Sequence, residues 1–241
     1  MNIALLGYGR MGKAIEELAM ERGHIIIATI DNETDWQEKN DRLLKADVAI
    51  DFSTPNSIIN NINNCIELNL PLVVGTTGWN DSFKDIKNTI LSKDLAFIWA
   101  SNFSIGVNIF FKLNKELAKL MNKYDEYDVS IKEVHHAGKL DMPSGTAISI
   151  ANEVITNLDR KNNWKLDTNS NDNNPNEIMI YAERIDPVAG THTTIFESDI
   201  DSIEITHTAK NRKGFATGAV IAAEWLKDKK GFYEFKEVFF S

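Results

Sequence analysis

An α/β chain in two parts is predicted by three observations. Short aliphatic runs alternate with helical stretches through the first hundred residues. A glycine-rich turn joins the first run to the first helix. After about residue 106, consecutive strands replace the alternation. Residues 3–6 (Ile-Ala-Leu-Leu) read as a buried strand. Residues 11–22 carry Met11, Ile15, Leu18 and Ala19 at helical spacing, and Gly23 ends the helix. Residues 25–30 form a second strand, continuous and aliphatic as parallel strands covered on both faces are. Residues 48–52, 72–75 and 96–99 repeat the pattern, each followed by a turn and a helical stretch. That cadence predicts a parallel sheet with right-handed crossovers.

A long helix is expected over 107–122, then strands over 127–134, 178–184, 190–196 and 202–209, with one helix beginning near Ser144. Mostly consecutive strands point to an α+β unit with an antiparallel or mixed sheet. Residues 162–176, rich in Asn and Asp, read as a long exposed loop. The last helix expected, 216–227, has an apolar face that can return to the first part. The expected domains are therefore 1–106 completed by 213–241, and 107–212.

Composition excludes several classes. Of 241 residues, 43% are hydrophobic and 25% charged, the balance of a globular chain and not of a disordered or fibrous one. A net charge of −9 provides no basic footprint, so neither nucleic acid nor an anionic membrane is an expected partner. A local pocket can still oppose that sign and take an anion. The single cysteine, Cys65, excludes an intrachain disulfide framework and a Cys-rich zinc site. No apolar run is long enough to span a bilayer, and the N-terminus has no basic leader, so the expected location is the cytoplasm.

The turn Gly7-Tyr8-Gly9-Arg10-Met11-Gly12 is G-x-G-x-x-G between strand and helix. Glycines there allow a tight turn, close approach of a pyrophosphate and close helix–strand packing, while the helix N-terminus offers N–H groups to the phosphates. The pattern alone is also that of an ordinary turn. The βαβ context and Asp31, closing the second strand, favour a Rossmann-type dinucleotide-binding domain in which Asp31 binds the adenosine ribose. Asp31 is followed by Asn32 and not by a cation, which favours NADH over NADPH, although Lys39 or Arg42 can approach in the fold.

Residues 133–147, Glu-Val-His-His-Ala-Gly-Lys-Leu-Asp-Met-Pro-Ser-Gly-Thr-Ala, hold the densest chemistry. His135 or His136 can exchange a proton near neutral pH, Lys139 can hold a carboxylate, and Ser144-Gly145-Thr146 opens a helix whose N–H groups can hold another. Adjacent histidines on a strand face opposite ways, so one of them can simply pack or meet solvent. A metal is not expected, because no third donor stands nearby at ligand spacing. After a dinucleotide domain, the cluster reads as a site for a small polyanion with a proton donor.

The whole chain resembles the 4-hydroxy-tetrahydrodipicolinate (dihydrodipicolinate) reductase family of lysine and diaminopimelate biosynthesis. The run H-H-x-x-K-x-D-x-P-S-G-T-A at 135–147 carries the likeness, with Gly-Tyr-Gly-Arg-Met-Gly at 7–12, Asp-Phe-Ser at 51–53, Gly-Thr-Thr-Gly at 75–78 and Asn-Phe-Ser-Ile-Gly-Val-Asn at 102–108. The resemblance implies hydride transfer from NAD(P)H to a cyclic dicarboxylate imine with loss of water. It implies His135 as proton donor or acceptor and Lys139 as the second proton-handling residue. His136, Ser144, Gly145 and Thr146 would hold substrate. Gly75, Thr76, Thr77 and the segment Ala100, Ser101, Asn102 and Phe103 would line the nicotinamide half. A homotetramer built through the second domain's sheet is implied as well. Departures at Asp186, Thr191, Thr208 and Asn211 are expected to touch subunit contacts more than chemistry, with altered substrate kinetics as the other reading of their clustering. The competing readings are another two-domain nicotinamide dehydrogenase acting on an amino acid, and a redox-sensing nucleotide-binding protein without turnover.

Overall fold

The computed structural model describes residues 1–168 and 174–240, which divide into two compact units: residues 1–105 with 212–240, and residues 106–211. No helix among them is long and apolar enough to cross a membrane.

The first unit is built on six strands: β1 (Asn2–Leu6), β2 (Ile25–Ile30), β3 (Val48–Asp51), β4 (Leu72–Val74), β5 (Ala96–Trp99) and, numbered in chain order, β11 (Gly231–Glu234). All pair in parallel, in the order β11-β5-β4-β3-β1-β2. The chain turns outward in opposite directions from β1 and β3, which leaves a crevice at their carboxyl ends, where open parallel sheets take ligands. Alternate residues explain why these strands lack a polar face. Ile3, Leu5, Val48, Ile50 and Ile98 pack on one side, while Ala4, Leu6, Ala49, Val74 and Phe97 pack on the other.

Helices cover both sides. On the first lie α1 (Arg10–Glu21), through Ile15 and Ala19, and α8 (Lys213–Leu226), through its Ala and Val residues; Phe235, which opens α9 (Phe235–Phe240), joins them. On the second lie α3 (Asn40–Leu43), α4 (Ile58–Glu67) and α5 (Phe83–Ser92), through Leu43, Ile58, Ile62, Ile86 and Ile90. The short α2 (Glu33–Glu38) follows β2, capped by the Asn32 side chain.

The second unit has five strands in the order β10-β9-β6-β8-β7: β6 (Asp128–His135), β7 (Asn163–Leu166), β8 (Glu177–Arg184), β9 (Gly190–Glu197) and β10 (Ser202–Ala209). β10, β9 and β6 run antiparallel, while β6–β8 and β8–β7 are parallel, so the sheet is mixed. α6 (Ile105–Met121) and α7 (Gly145–Asn157) supply Phe110, Ala118, Ala147, Ile150, Ala151 and Val154 to a core shared with Val129, Ile131, Ile178, Ile180 and Phe196.

Two segments depart from the sequence reading. Within the expected loop 162–176, residues 163–166 form β7, a four-residue edge strand held by one neighbour, and 169–173 lie outside the described residues. The chain also continues past α8 into β11 and α9. A four-residue strand opened by glycine has too little periodicity to announce itself, and β11 is specified by pairing with β5.

The small residues of α8 have a steric reason. A Cβ on Gly218 would stand 1.8 Å from the Phe103 carbonyl oxygen, a backbone atom that cannot swing aside. Gly218→Ala is expected to destabilise the protein by about 1–3 kcal/mol. Urea unfolding at neutral pH checks this, and an unchanged midpoint would contradict the packing.

Candidate active site

Side chains on β6 alternate, and the buried ones are Val129, Ile131, Glu133 and His135. This stripe starts apolar beneath the helices and ends in two ionisable groups beside the N-terminus of α7. Glu133 is buried. Its carboxylate oxygens accept the Ser144 N–H at 3.0 and 3.2 Å, and Oε1 lies 3.0 Å from an Arg184 guanidinium nitrogen. The antiparallel register sets His192 of β9 opposite Glu133, with its Nε2 3.6 Å from Oε2 and 3.1 Å from the Ser144 hydroxyl. His135 Nδ1 stands 3.5 Å from the same carboxylate without making a hydrogen bond. Burial alone would raise the Glu133 carboxyl, but contacts from His192, Ser144 and Arg184 overcome it and hold the group at about 2. Burial first, and then His192, push the His135 imidazole down to about 4 against the pull of Glu133. His135 is therefore neutral at physiological pH in this state.

Lys139 follows β6 in a segment with no regular structure. Its ammonium pairs with both Asp141 carboxylate oxygens at 2.7 Å. Ser144 caps α7, its hydroxyl accepting the Ala147 N–H, and its carbonyl takes the Ile148 N–H. Gly145 and Thr146 carry the remaining N–H groups of this first turn. Gly145 is exposed, and a Cβ there would meet nothing within 4 Å, so the helix end is open to an anion. His136 is half-buried, its carbonyl accepting the Lys139 N–H at 3.1 Å. The strand and the helix end thus bring together six residues singled out in the sequence: His135, His136, Lys139, Ser144, Gly145 and Thr146.

The glycine turn of the first unit has the shape its pattern requires. Gly7 has φ +86°, and a Cβ on it would lie 2.5 Å from the Phe52 carbonyl oxygen; one on Gly12 would lie 2.4 Å from that of Gly7. Gly9 has nothing within 4 Å, and no side chain caps the start of α1. Tyr8, Arg10 and Met11 complete the turn. Asp31 accepts the Tyr8 N–H at 2.6 Å, which ties the end of β2 to the turn, and the Tyr8 hydroxyl bonds Glu16. The Lys39 ammonium is occupied by Asp35 at 2.6 Å and the Thr29 carbonyl at 2.7 Å.

Asp51, fully buried at the end of β3, organises the neighbouring loops. It accepts the Ser53 N–H (3.0 Å), the Ser53 hydroxyl (2.8 Å), the Thr76 hydroxyl (2.6 Å) and the Asn61 amide (2.7 Å). Burial raises its carboxyl, opposed by those hydrogen bonds from Thr76, Ser53 and Asn61.

The residues of both units match one family along their length. The description "Dihydrodipicolinate reductase, N-terminus" matches residues 1–103, and "Dihydrodipicolinate reductase, C-terminus" matches 106–239. The chain belongs to the dihydrodipicolinate reductase family. The 4-hydroxy-tetrahydrodipicolinate reductase of Christiangramia forsetii is 50% identical over 99% of this chain and 97% of its own. That of Rickettsia bellii is 37% identical over 95% and 90%, and that of Thermosipho africanus 36% identical over 99% and 97%. Among solved structures, a dipicolinate-bound dihydrodipicolinate reductase from Paenisporosarcina sp. TG-14 superposes with TM-score 0.78 at 22% identity, covering 99% of both chains. An amine dehydrogenase from Mycobacterium smegmatis superposes with TM-score 0.60 at 10% identity, covering 98% of this chain and 95% of its own. The fold is thus shared with an amine dehydrogenase, while the sequence likeness is to the reductase family.

Several placements refine the family-derived expectations. The Thr76 hydroxyl is bonded to Asp51 and to the Ser53 N–H, so only its backbone can serve a ligand; Thr77 and Ser101 are exposed. A Cβ on Gly75 would collide with the Phe52 ring. Ala100 and Phe103 are core residues, with Phe103 against Phe52 and Phe235, and the Asn102 side chain accepts the Ser104 N–H. Among the departures, Thr191 and Thr208 are cross-strand partners, their hydroxyls 3.3 Å apart. The Asp186 carboxylate accepts the Ala137 N–H inside the site segment.

The sequence reading found no third donor for a metal. Strand pairing supplies one, since atoms of Glu133, His135 and His192 lie within 4.8 Å of one another. That carboxylate is already filled by the Ser144 N–H and by a guanidinium whose positive charge disfavours a cation beside it. Glu133, Arg184 and His192 were not singled out as site residues. Glu133 opens the run at 133–147, whereas the sequence signal of Arg184 and His192 is a charged or imidazole side chain on a strand.

Both lowered values have the same sign. The contribution of His135 to stability is full above its ordinary 6.5 and is lost as pH falls through about 4; that of Glu133 is full above 4.5 and is lost through about 2. The urea midpoint is expected to start falling below pH 6.5. In His135→Gln the part of that fall between 6.5 and 4 should shrink, leaving the share of His207, which burial lowers in the same direction, and unfolding curves across this range would read the difference.

Proposed function

We propose that this chain is a 4-hydroxy-tetrahydrodipicolinate reductase, which converts its substrate, NAD(P)H and a proton to tetrahydrodipicolinate, NAD(P)+ and water. The observation that carries this reading is the cluster at the end of β6: a buried imidazole, a lysine ammonium and the open N-terminus of α7 on one short stretch of chain. Two anion sites beside a proton-exchanging group suit a cyclic dicarboxylate. Family membership favours that substrate over the amino-acid dehydrogenase and sensor alternatives.

The first unit fits a dinucleotide. Gly9 borders open space where a pyrophosphate would lie, the start of α1 is uncapped, and Asp31 stands at the end of β2 for the ribose. When bound, the nicotinamide supplies the hydride. Gly75, Thr77 and the Thr76 backbone, with residues 100–103, border its half of the site. Lys39, one of the two cations able to approach Asp31, is held by Asp35, which favours NADH as the donor.

In the second unit, one substrate carboxylate takes the Gly145 and Thr146 N–H groups beside Ser144. Lys139, exchanging Asp141 for substrate, and His136 hold the other. Carboxylates arriving beside His135 favour its protonated form, so the imidazole takes up a proton with the substrate and delivers it. The enzyme would serve lysine and diaminopimelate biosynthesis in the cytoplasm, as a homotetramer assembled through the five-stranded sheet.

The test is a coupled assay in which substrate is made in situ from pyruvate and aspartate semialdehyde and loss of nicotinamide absorbance is followed. Oxidation requiring both protein and substrate is expected, with a lower KM for NADH; nucleotide binding without turnover would overturn the reading. His135→Gln should lower kcat by about 10²-fold or more while leaving cofactor affinity intact. Lys139→Ala should raise substrate KM and lower kcat together, and a change in thermal stability alone would remove Lys139 from the chemistry.

A further inference from the structure

Residues 136–143 present Lys139 but belong to no helix or strand, and Leu140 at their centre is 97% exposed. A lysine side chain has four rotatable bonds, so its placement depends on what holds its backbone. Three attachments do so. Asp186 accepts the Ala137 N–H at 3.1 Å, and the Lys139 N–H returns to the His136 carbonyl at 3.1 Å. The third is Arg184, at the end of β8. Its Nε reaches the Lys139 carbonyl at 3.4 Å, and one terminal nitrogen reaches the Asp141 carbonyl at 2.5 Å and Glu133 Oε1 at 3.0 Å.

The two halves of this contact differ in rigidity. Glu133 is fixed within the sheet by the Ser144 N–H and lies opposite His192, whereas 139–141 is irregular chain. The other terminal nitrogen of Arg184 bonds the Glu183 carbonyl at 2.8 Å, so the planar group is held on several sides. The parallel register also pairs Arg184 with His135, and the Ile185 N–H bonds the His135 carbonyl at 2.7 Å. One strand end therefore braces both groups assigned to proton handling.

We propose that Arg184, seated on the buried Glu133 carboxylate, is the positioning residue of this site: its guanidinium ties segment 136–143 to the sheet and so fixes where the Lys139 ammonium is presented. The catalytic part of this assignment rests on the reductase reading; the tie itself does not. Lysine at 184 would keep a positive charge for Glu133 but lacks the planar fork that reaches two carbonyls and a carboxylate together.

Amide hydrogen exchange on the full chain, read peptide by peptide, tests the tie. Arg184→Lys should speed exchange at least about tenfold within 136–143 and leave the rest of 106–211 unchanged. Wild-type exchange in that segment would overturn the proposal, as would faster exchange throughout the unit. In the coupled assay the same variant should lose about 10²-fold in kcat/KM for the dicarboxylate, with the KM for the nicotinamide cofactor unaltered. Local loosening with undiminished kcat/KM would overturn the positioning role. A wild-type chain without turnover would refute the reductase reading instead, and exchange alone would then decide the tie. If Arg184→Lys does not fold, Glu133→Asp serves in its place: its shorter side chain cannot reach Ser144 and Arg184 together, and the same local exchange is expected.

Discussion

A carboxylate taken out of water must be met by donors on every open side, and in the second unit that requirement falls on Glu133. Its partners come from three elements far apart in sequence: Ser144 at the start of α7, Arg184 at the end of β8 and His192 within β9. Each contact places something else. The Ser144 N–H seats the helix whose first turn stays open to an anion, Arg184 braces the segment bearing Lys139, and His192 borders the His135 ring, their centroids 5.0 Å apart. The low value of the carboxyl and the neutral state of the imidazole are two sides of one buried arrangement.

The first unit solves a related problem with neutral donors. Asp51 ends its strand fully buried and gathers Ser53, Asn61 and Thr76 with no cation among its hydrogen-bond donors. Burial raises its carboxyl against those hydrogen bonds, where the contacts of Glu133 outweigh burial and lower it, and the bonds of Asp51 serve to shape loops. The Thr76 hydroxyl is used up in this way, which leaves backbone groups to face a ligand. In both units, then, the carboxyl end of a central strand carries a buried acid that organises the irregular chain around it.

Much of this was legible from residue order. The strands at 25–30, 96–99 and 202–209 begin and end where their apolar or alternating patterns do. The turn at 7–12 and the run at 135–147 are local, so spacing alone places their members on one turn, one strand end and one helix start. Less legible were β7 and β11, four-residue edge strands whose conformation depends on a single neighbour. Arg184, Asp186 and His192 escaped notice as site residues because they reach the site only through strand pairing.

Sequence by itself determined the α/β class, the turn suited to a dinucleotide, the His-His-x-x-Lys run and the family that these motifs carry. Those features repeat or sit within a few residues of one another, and the periods of helix and strand convert such spacing directly into geometry. Tertiary structure alone decided which imidazole lies buried against a carboxylate, that Thr76 is bonded inward and that Phe103 is core. It also brought an arginine from β8 to hold the chain around Lys139. Burial and register create these relations between distant segments, and neither is a property of any one stretch of residues.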